Sequence, residues 1–435
     1  MARKMKDSGI EWIGEIPTDF SLYKLKYLLS SPLCYGANES GTLYSDILPR
    51  YIRITDISPN GTLKNSGMLS LDESSAQNYM LHEGDILFAR SGATVGKSFI
   101  YHNYYGRAAY AGYLIKASFN RLVLPEFVYY YTCSSAYEIW KNSIFIQSTI
   151  QNIGADRYSN LPISVPNSID KQLRIVRYLN NFCSKFDAII YNLQTSIEDY
   201  KKLKQAVITQ AVTKGVRGER EMKNSGVEWI GKVPKEWDFR KLKAVSARIN
   251  VGVVIRPSEY FNDNGTVPFL RGINVKEYTI SSENMVYISQ TSNRALSKSQ
   301  VHTGDILIVR DGNIGASCVV PSCYNGANVV SMVIVTPNNN CDSRFLCYSL
   351  NSEVGKTQFT LTKIGSALTH TSVSAVSNIL SPVPSREEQY EIADYLDAKC
   401  AEIDGLIAKK EQLVKELESY KKSLIYEVVT GKREV

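Results

Sequence analysis

The stretch MKDSGIEWIGEIPTDFSLYKLK at 5–26 returns as MKNSGVEWIGKVPKEWDFRKLK at 222–243, with 12 of 22 positions identical at an offset of 217. A chain written this way folds as two copies of one plan, because each copy carries the same local instructions. Further pairs follow near that offset: YIRITDI (51–57) with FLRGINV (269–275), HEGDILFARSG (82–92) with HTGDILIVRDG (302–312), and VPNSIDKQLRIVRYL (165–179) with VPSREEQYEIADYL (383–396). Between these islands the halves differ freely. One scaffold therefore carries two different surfaces, the logic of paired recognition.

Period and punctuation give the elements. YIRITDI, DILFAR, DILIVR and VVSMVIVT are short β-branched or aromatic runs between Gly, Asn and Ser clusters, which read as strands, with helix around PEFVYYYTCSSAYEIWK. After each Val-Pro the pattern turns helical. Apolar residues recur in steps of three and four from Leu173 to Ala211, and again from Ile392 to Val428. A helix of about 40 residues is about 60 Å long, too long to be an internal element of a compact domain. The economical packing is one long helix antiparallel against the other. The fold class expected is α/β (α+β): two similar mixed, β-rich bodies, two long amphipathic helices forming an antiparallel coiled coil, and an internal pseudo-two-fold duplication. The boundaries expected are 1–165, 166–216, 217–383 and 384–435, with TKGVRGER acting as a hinge, so that two globules sit on a helical rod.

Composition excludes rather than identifies. The 435 residues are 44% hydrophobic and 21% charged, as in soluble globular proteins of two or three domains. No apolar run approaches a membrane span, and the start resembles no signal peptide, so a cytoplasmic location and no membrane contact are expected. A net charge of +7 permits nucleic-acid binding without demonstrating it. Eight cysteines read as reduced thiols. The pairs Cys318/Cys323 and Cys341/Cys347 are spaced too widely for a zinc knuckle, and no metal is assigned.

ARSGATVGKSFIY (89–101) imitates a phosphate loop and fails the test. Such a loop needs four residues before Gly-Lys-Ser and a helix after it. Here three residues separate Gly92 from Gly96, and the next residues, SFIYHNYY, are strand-like. The second copy keeps Gly312 and Gly315 but puts Ala316 where Lys97 stands, so the element reads as a turn between strands. The Asn-Pro-Pro-aromatic motif of amino methyltransferases, a dinucleotide turn, a nuclease carboxylate cluster and a zinc helix are all absent from the sequence. His82 and His302 hold equivalent turn positions, where a structural hydrogen bond is expected. No catalytic residue is assigned.

The doubled Lys-x-Ser-Gly-x-Glu-Trp-Ile-Gly signature, the two Val-Pro boundaries followed by Gln172 and Gln389, and the helix endings AVTKGVRGE and VVTGKREV resemble the specificity subunit of type I restriction-modification systems over essentially the whole chain. The resemblance implies two target-recognition domains, each reading one half of a bipartite site in double-stranded DNA. It also implies a helical rod that sets the spacer and docks two modification subunits. S-adenosylmethionine for adenine-N6 methylation would sit on the modification subunits, and ATP and magnesium on restriction subunits, with no cofactor on this chain. It would be a noncatalytic subunit. A helical scaffold whose β-rich bodies bind proteins is the competing reading, and a fused methyltransferase or nuclease is the third.

Base edges are read by Arg, Lys, Asn, Gln, Ser and Thr, and phosphates by Lys and Arg. The candidates for DNA contact are Arg53 and Arg271 at matched strand ends, Arg90 and Arg310 before the matched glycine turn, and Lys97 and Arg107 in the basic, tyrosine-rich segment. Gln147, Ser148, Thr149, Gln151, Lys363, Ser366, Thr369 and Thr371 join them from the polar stretches before each Val-Pro. For the arginines, a salt bridge within the domain is the competing role. Trp12 and Trp229 have the same surroundings in both halves, which favours a structural or docking role, since a residue that reads sequence should differ between the halves.

Overall fold

The computed structural model describes residues 4–58, 61–92, 94–146, 152–228, 230–363 and 370–435. The chain divides into two units, residues 1–194 with 412–435, and residues 195–411.

The first unit opens with the signature as a hairpin, Met5–Asp7 against Glu15–Pro17. Its main sheet is formed by β1 (Cys34–Tyr35), β2 (Ile86–Ala89), β3 (Ser98–Ile100) and β4 (Leu114–Ala117), in the order β1-β4-β2-β3 with every neighbour antiparallel. A second sheet centres on Arg50–Ile52, which pairs parallel with Ala108–Tyr110 and antiparallel with Leu69–Ser70. Helices Pro125–Thr132 and Ser135–Ile146 cover the main sheet. Their aromatic content supplies the core, where Phe88, Phe127, Tyr131 and Tyr137 are fully buried and Phe88 packs at 4.6 Å from Tyr158.

The second unit repeats this plan. Its hairpin, Met222–Asn224 against Lys232–Pro234, pairs Met222 with Pro234 as the first pairs Met5 with Pro17. Its main sheet consists of β5 (Ser246–Val251), β6 (Ile306–Ile308), β7 (Ser317–Val319) and β8 (Val333–Pro337), in the equivalent order β5-β8-β6-β7. Val267–Leu270 pairs parallel with Asn328–Val329 and antiparallel with Val286–Ile288, as its counterpart does in the first unit.

The long helices are Ile169–Lys214, 46 residues, and Arg386–Val429, 44 residues, about 69 and 66 Å at 1.5 Å per residue. Each contributes to both units and they run antiparallel. In the first unit Phe186 lies 5.7 Å from the Tyr420 ring and Lys421 pairs with Asp187 at 2.5 Å. In the second, Lys410 stands over Tyr200 and Lys204 pairs with Asp404 at 2.6 Å. The ends of the stripes read from the sequence lie in the cores, Leu179 with Leu424 and Val428 in one unit and Ala211 with Ile392 and Leu396 in the other, while Ile189, Leu203, Leu413 and Tyr420 are exposed.

A fully buried glutamine fastens the start of each long helix to its own body. Gln172 accepts from Leu124 N at 2.8 Å and donates to Leu122 O and Pro166 O, both at 3.0 Å. Gln389 accepts from Asp342 N at 2.8 Å and donates to Asn340 O and Pro384 O. A buried amide with its hydrogen bonds filled fixes direction as well as position.

Three expectations change in detail. YIRITDI is strand only to Ile52 and then a 3₁₀ turn, Ile54–Asp56, because the Asp56 carboxylate accepts from Arg53 N at 2.8 Å and closes the chain on itself. VVSMVIVT is two strands, because Ser331 adopts φ +51 and carries the chain from one sheet to the other. TKGVRGER is no free hinge: the helix stops at Gly215, φ +78, and Arg217 and Arg220 then pair with Glu391 at 2.8 Å and Glu388 at 2.6 Å. Those two carboxylates stand in the first turns of the second long helix.

Candidate nucleic-acid interface

Topology puts several of the sequence candidates at one end of each body. In the main sheet, β1 and β2 both flank β4 antiparallel, with Tyr35 and Phe88 opposite the same residue, Ile115. β1 and β2 therefore run the same way, and the loops that leave them emerge together. The second body repeats the geometry, with Val251 and Ile308 both opposite Val333.

The loop after β2 is the phosphate-loop imitation. It is a tight turn into β3, with Gly96 N bonded to Ala89 O at 2.9 Å, and Gly92 and Gly96 at φ +77 and +82. The chain after it is the antiparallel strand Ser98–Ile100, not a helix with free N–H groups. Lys97 is exposed on this turn.

Arg90 lies partly buried at the end of β2, its guanidinium 4.9 Å from the Tyr35 ring. The Tyr35 hydroxyl accepts from Ala155 N at 3.0 Å, and Ser91 is bridged to Asn152. Tyr35 thus joins three segments: the end of β1, the glycine turn and the tail of the polar stretch before Val-Pro. The counterpart Arg310 donates through Nε to Thr371 O at 2.9 Å, and Asp311 is bridged to His370. The structure therefore brings Arg90 and Arg310 against the polar stretches in both bodies, and places Thr371 beside Arg310.

The other candidates divide. Arg53 and Arg271 follow the central strands of the second sheets. Arg53 is held by Asp56 at 2.8 Å and by Gly67 O at 2.7 Å, so its charge is answered within the domain. In the second copy Asn274 replaces Asp56. The Arg271 guanidinium has no carboxylate there, donates to Asn284 O, and lies 6.0 Å from the Phe261 ring. Arg107 pairs with Glu73 at the start of strand Ala108–Tyr110, the end away from the shared face. Gln147, Ser148, Thr149, Gln151, Ser366 and Thr369 lie outside the described residues, as does the side chain of Lys363.

Other sequence markers prove structural. The N–H groups of His82 and His302 donate to Asp85 at 2.9 Å and Asp305 at 2.8 Å, while both rings are exposed. The buried aspartates, not the histidines, organise these turns: Asp85 also accepts from Ser118, and Asp305 from Thr336, each at 2.6 Å. Their signal was the repeated Gly-Asp itself. Trp12 packs against the main core of the first unit, and the carbonyls of Trp12 and Ile13 accept from the Tyr426 hydroxyl of the second long helix. Trp229 lies outside the described residues. Cys318 and Cys347 are buried, and burial pushes the Cys318 and Cys341 thiols up to about 12, so both stay protonated at neutral pH. Among the described residues no group of three or more His, Cys, Asp or Glu side chains is placed to hold a metal, and no helix is long and apolar enough to cross a membrane.

Comparison with known proteins places this architecture. The family described as "Type I restriction modification DNA specificity domain" matches residues 44–199 and 234–416, one match in each body. The type I restriction enzyme MjaVIII specificity subunit of Methanocaldococcus jannaschii is 24% identical over 81% of this chain and 80% of its own length. The putative MjaX specificity subunit of the same organism is 25% identical over 97% and 95%. A chain from a solved structure concerned with complex assembly and conformational transition of the type I R-M system shares the fold, with a TM-score of 0.72, 15% identity and coverage of 96% of this chain and 99% of that one. With both of its bodies matched, the chain belongs to the type I restriction-modification DNA specificity family, as a specificity subunit.

Proposed function

We propose that this chain selects the DNA target of a type I restriction-modification complex, each body reading one half of a bipartite site in double-stranded DNA. The observation that carries this reading is the repeated delivery of two loops by two parallel strands to one end of each body, with scaffold hydrogen bonds retained and exposed side chains changed. Two equivalent frames with different tips suit an asymmetric split target. The long helices carry the spacer and the docking surface for two modification subunits, the roles the family resemblance gives them. Adenine-N6 methylation with S-adenosylmethionine belongs to those partners, and ATP- and magnesium-dependent cleavage to restriction subunits. This chain supplies recognition and no chemical step.

The work of binding is electrostatic and the work of choosing is local. Cations on the phosphates give affinity that falls with salt, while donors, acceptors and apolar groups on base edges give sequence preference. The assembly of this chain with its modification subunits is expected to protect two short blocks of one duplex, with affinity dropping by roughly 10³ or more between 50 and 200 mM salt if six or more phosphates are neutralised. Footprinting across a salt series measures both. Protection indifferent to sequence in both blocks would contradict the reading.

A further inference from the structure

We infer that residues 38–40 of the first body and 254–256 of the second are the specificity-determining tips of the two bodies, each reading base edges in its own half-site. This rests on the DNA-reading function proposed above and names the side chains that would perform it.

The anchor is the same in both copies. Gly36 and Gly252 end the turn out of β1 and β5, and a Cβ on either would fall well inside 3.0 Å of a backbone carbonyl, that of Tyr110 or Val329. Ala37 N donates to Tyr110 O at 2.9 Å and Ala37 O accepts from Gly112 N at 2.7 Å. Val253 N donates to Val329 O at 2.8 Å and Val253 O accepts from Ser331 N at 3.0 Å. Ala37 and Val253 form the equivalent parallel bridges, to Ala111 and Val330. The frame below is itself locked, with Ala111 N on Ile52 O and Val330 N on Leu270 O.

The residues beyond the anchor are exposed and differ between the copies. The first body presents Asn38, Glu39 and Ser40, and the second presents Val254, Ile255 and Arg256. Ile255 is 77% exposed, and the Arg256 side chain 78%, the latter on a backbone at φ +41. A bulky non-glycine residue in the left-handed region costs energy and persists where its surroundings over-determine it. The Arg256 guanidinium meets Glu259 at 3.3 Å, a solvent-exposed ion pair that adds little to stability, and the isoleucine beside it is left in water. Both tips leave the sheet at the end that carries Arg90 and Arg310, and in the first body the residue just before the anchor, Tyr35, is the one that stacks on Arg90.

The side-chain chemistry covers different bases. Asn matches adenine N6 and N7, and Glu accepts from cytosine N4. Arg matches guanine O6 and N7, and aliphatic groups fit the thymine methyl. Rigid backbone with interchangeable tips is the arrangement recognition needs, because the site is held in place before DNA arrives.

The test exchanges tips. Asn38→Val, Glu39→Ile and Ser40→Arg are combined in one variant, and Val254→Asn, Ile255→Glu and Arg256→Ser in another. Each is assembled with its modification subunits, and methylated adenines are mapped on random-sequence DNA. The expected result is a change in one half of the motif, the half belonging to the altered body, with the other half and the spacer retained. Arg256→Gln alone should relax one position of the second half-site, lowering discrimination there roughly 5- to 150-fold. An unchanged motif from both exchanges overturns the inference and leaves reading by the bodies standing. So does a folded variant that methylates nothing, since its tips would then serve assembly. A motif altered in both halves by one exchange overturns the inference and the one-body, one-half reading together.

Discussion

Gly36→Val is expected to abolish recognition of one half-site, and Gly252→Val recognition of the other. Each new side chain would collide with backbone, not with a side-chain end that can swing away. The chain must then open the hydrogen bonds that seat the tip, Ala37 N to Tyr110 O and Gly112 N to Ala37 O in the first body. Overpacking and the lost pairs together cost about 2–5 kcal/mol of that body's stability. Binding to duplexes carrying one or both half-sites, alongside thermal unfolding, measures both effects. Full affinity for both half-sites in either variant would mean that the anchors do not position the reading surface.

The second large effect is expected at Glu388. Its carboxylate is 2% exposed, takes the Trp237 Nε1–H at 3.0 Å and pairs with Arg220 at 2.6 Å, while Arg220 stands over the Trp237 ring at 5.2 Å. Glu388→Ala leaves the indole N–H without this acceptor and the mostly buried Arg220 with Glu236, at 2.9 Å, as its remaining carboxylate, costing about 1.5–3 kcal/mol. The first copy inverts the charge, with Lys171 at the equivalent place, 5.2 Å from the Phe20 ring and paired with Asp19. Glu388→Lys should therefore be more damaging still, since it sets a second cation against Arg220. Calorimetry on the two variants checks the order, and wild-type unfolding of Glu388→Lys would contradict the role given to this pair.

Much of the fold was legible because duplication marks it: shared Val-Pro, Gly-Asp and signature residues repeat as equivalent hairpins, registers and buried glutamines. Strand ends were less so. Arg53 stood open between DNA contact and a salt bridge within the domain, and the pairing with Asp56 that it makes depends on a 3₁₀ turn that local propensity does not announce. Arg90 and Arg310 were visible as a pair, and their meeting with the polar stretches emerges only from the sheet. The tips at 38–40 and 254–256 were not legible from polar groups recurring in equivalent places. A reading residue has no reason to recur, and only the shared backbone anchor, invisible in the letters beyond one glycine each, reveals that NES and VIR occupy the same position.

That each body reads its own half-site is tested most directly by replacing residues 27–161 with the corresponding segment of a related specificity subunit whose methylated motif is known. The chimera is assembled with the modification subunits, and the methylated adenines are sequenced. The expected result is a hybrid motif, with one half taken from the donor and the other half and the spacer unchanged. An unaltered motif would contradict reading by the bodies, and would favour β-rich bodies that bind proteins on a helical scaffold.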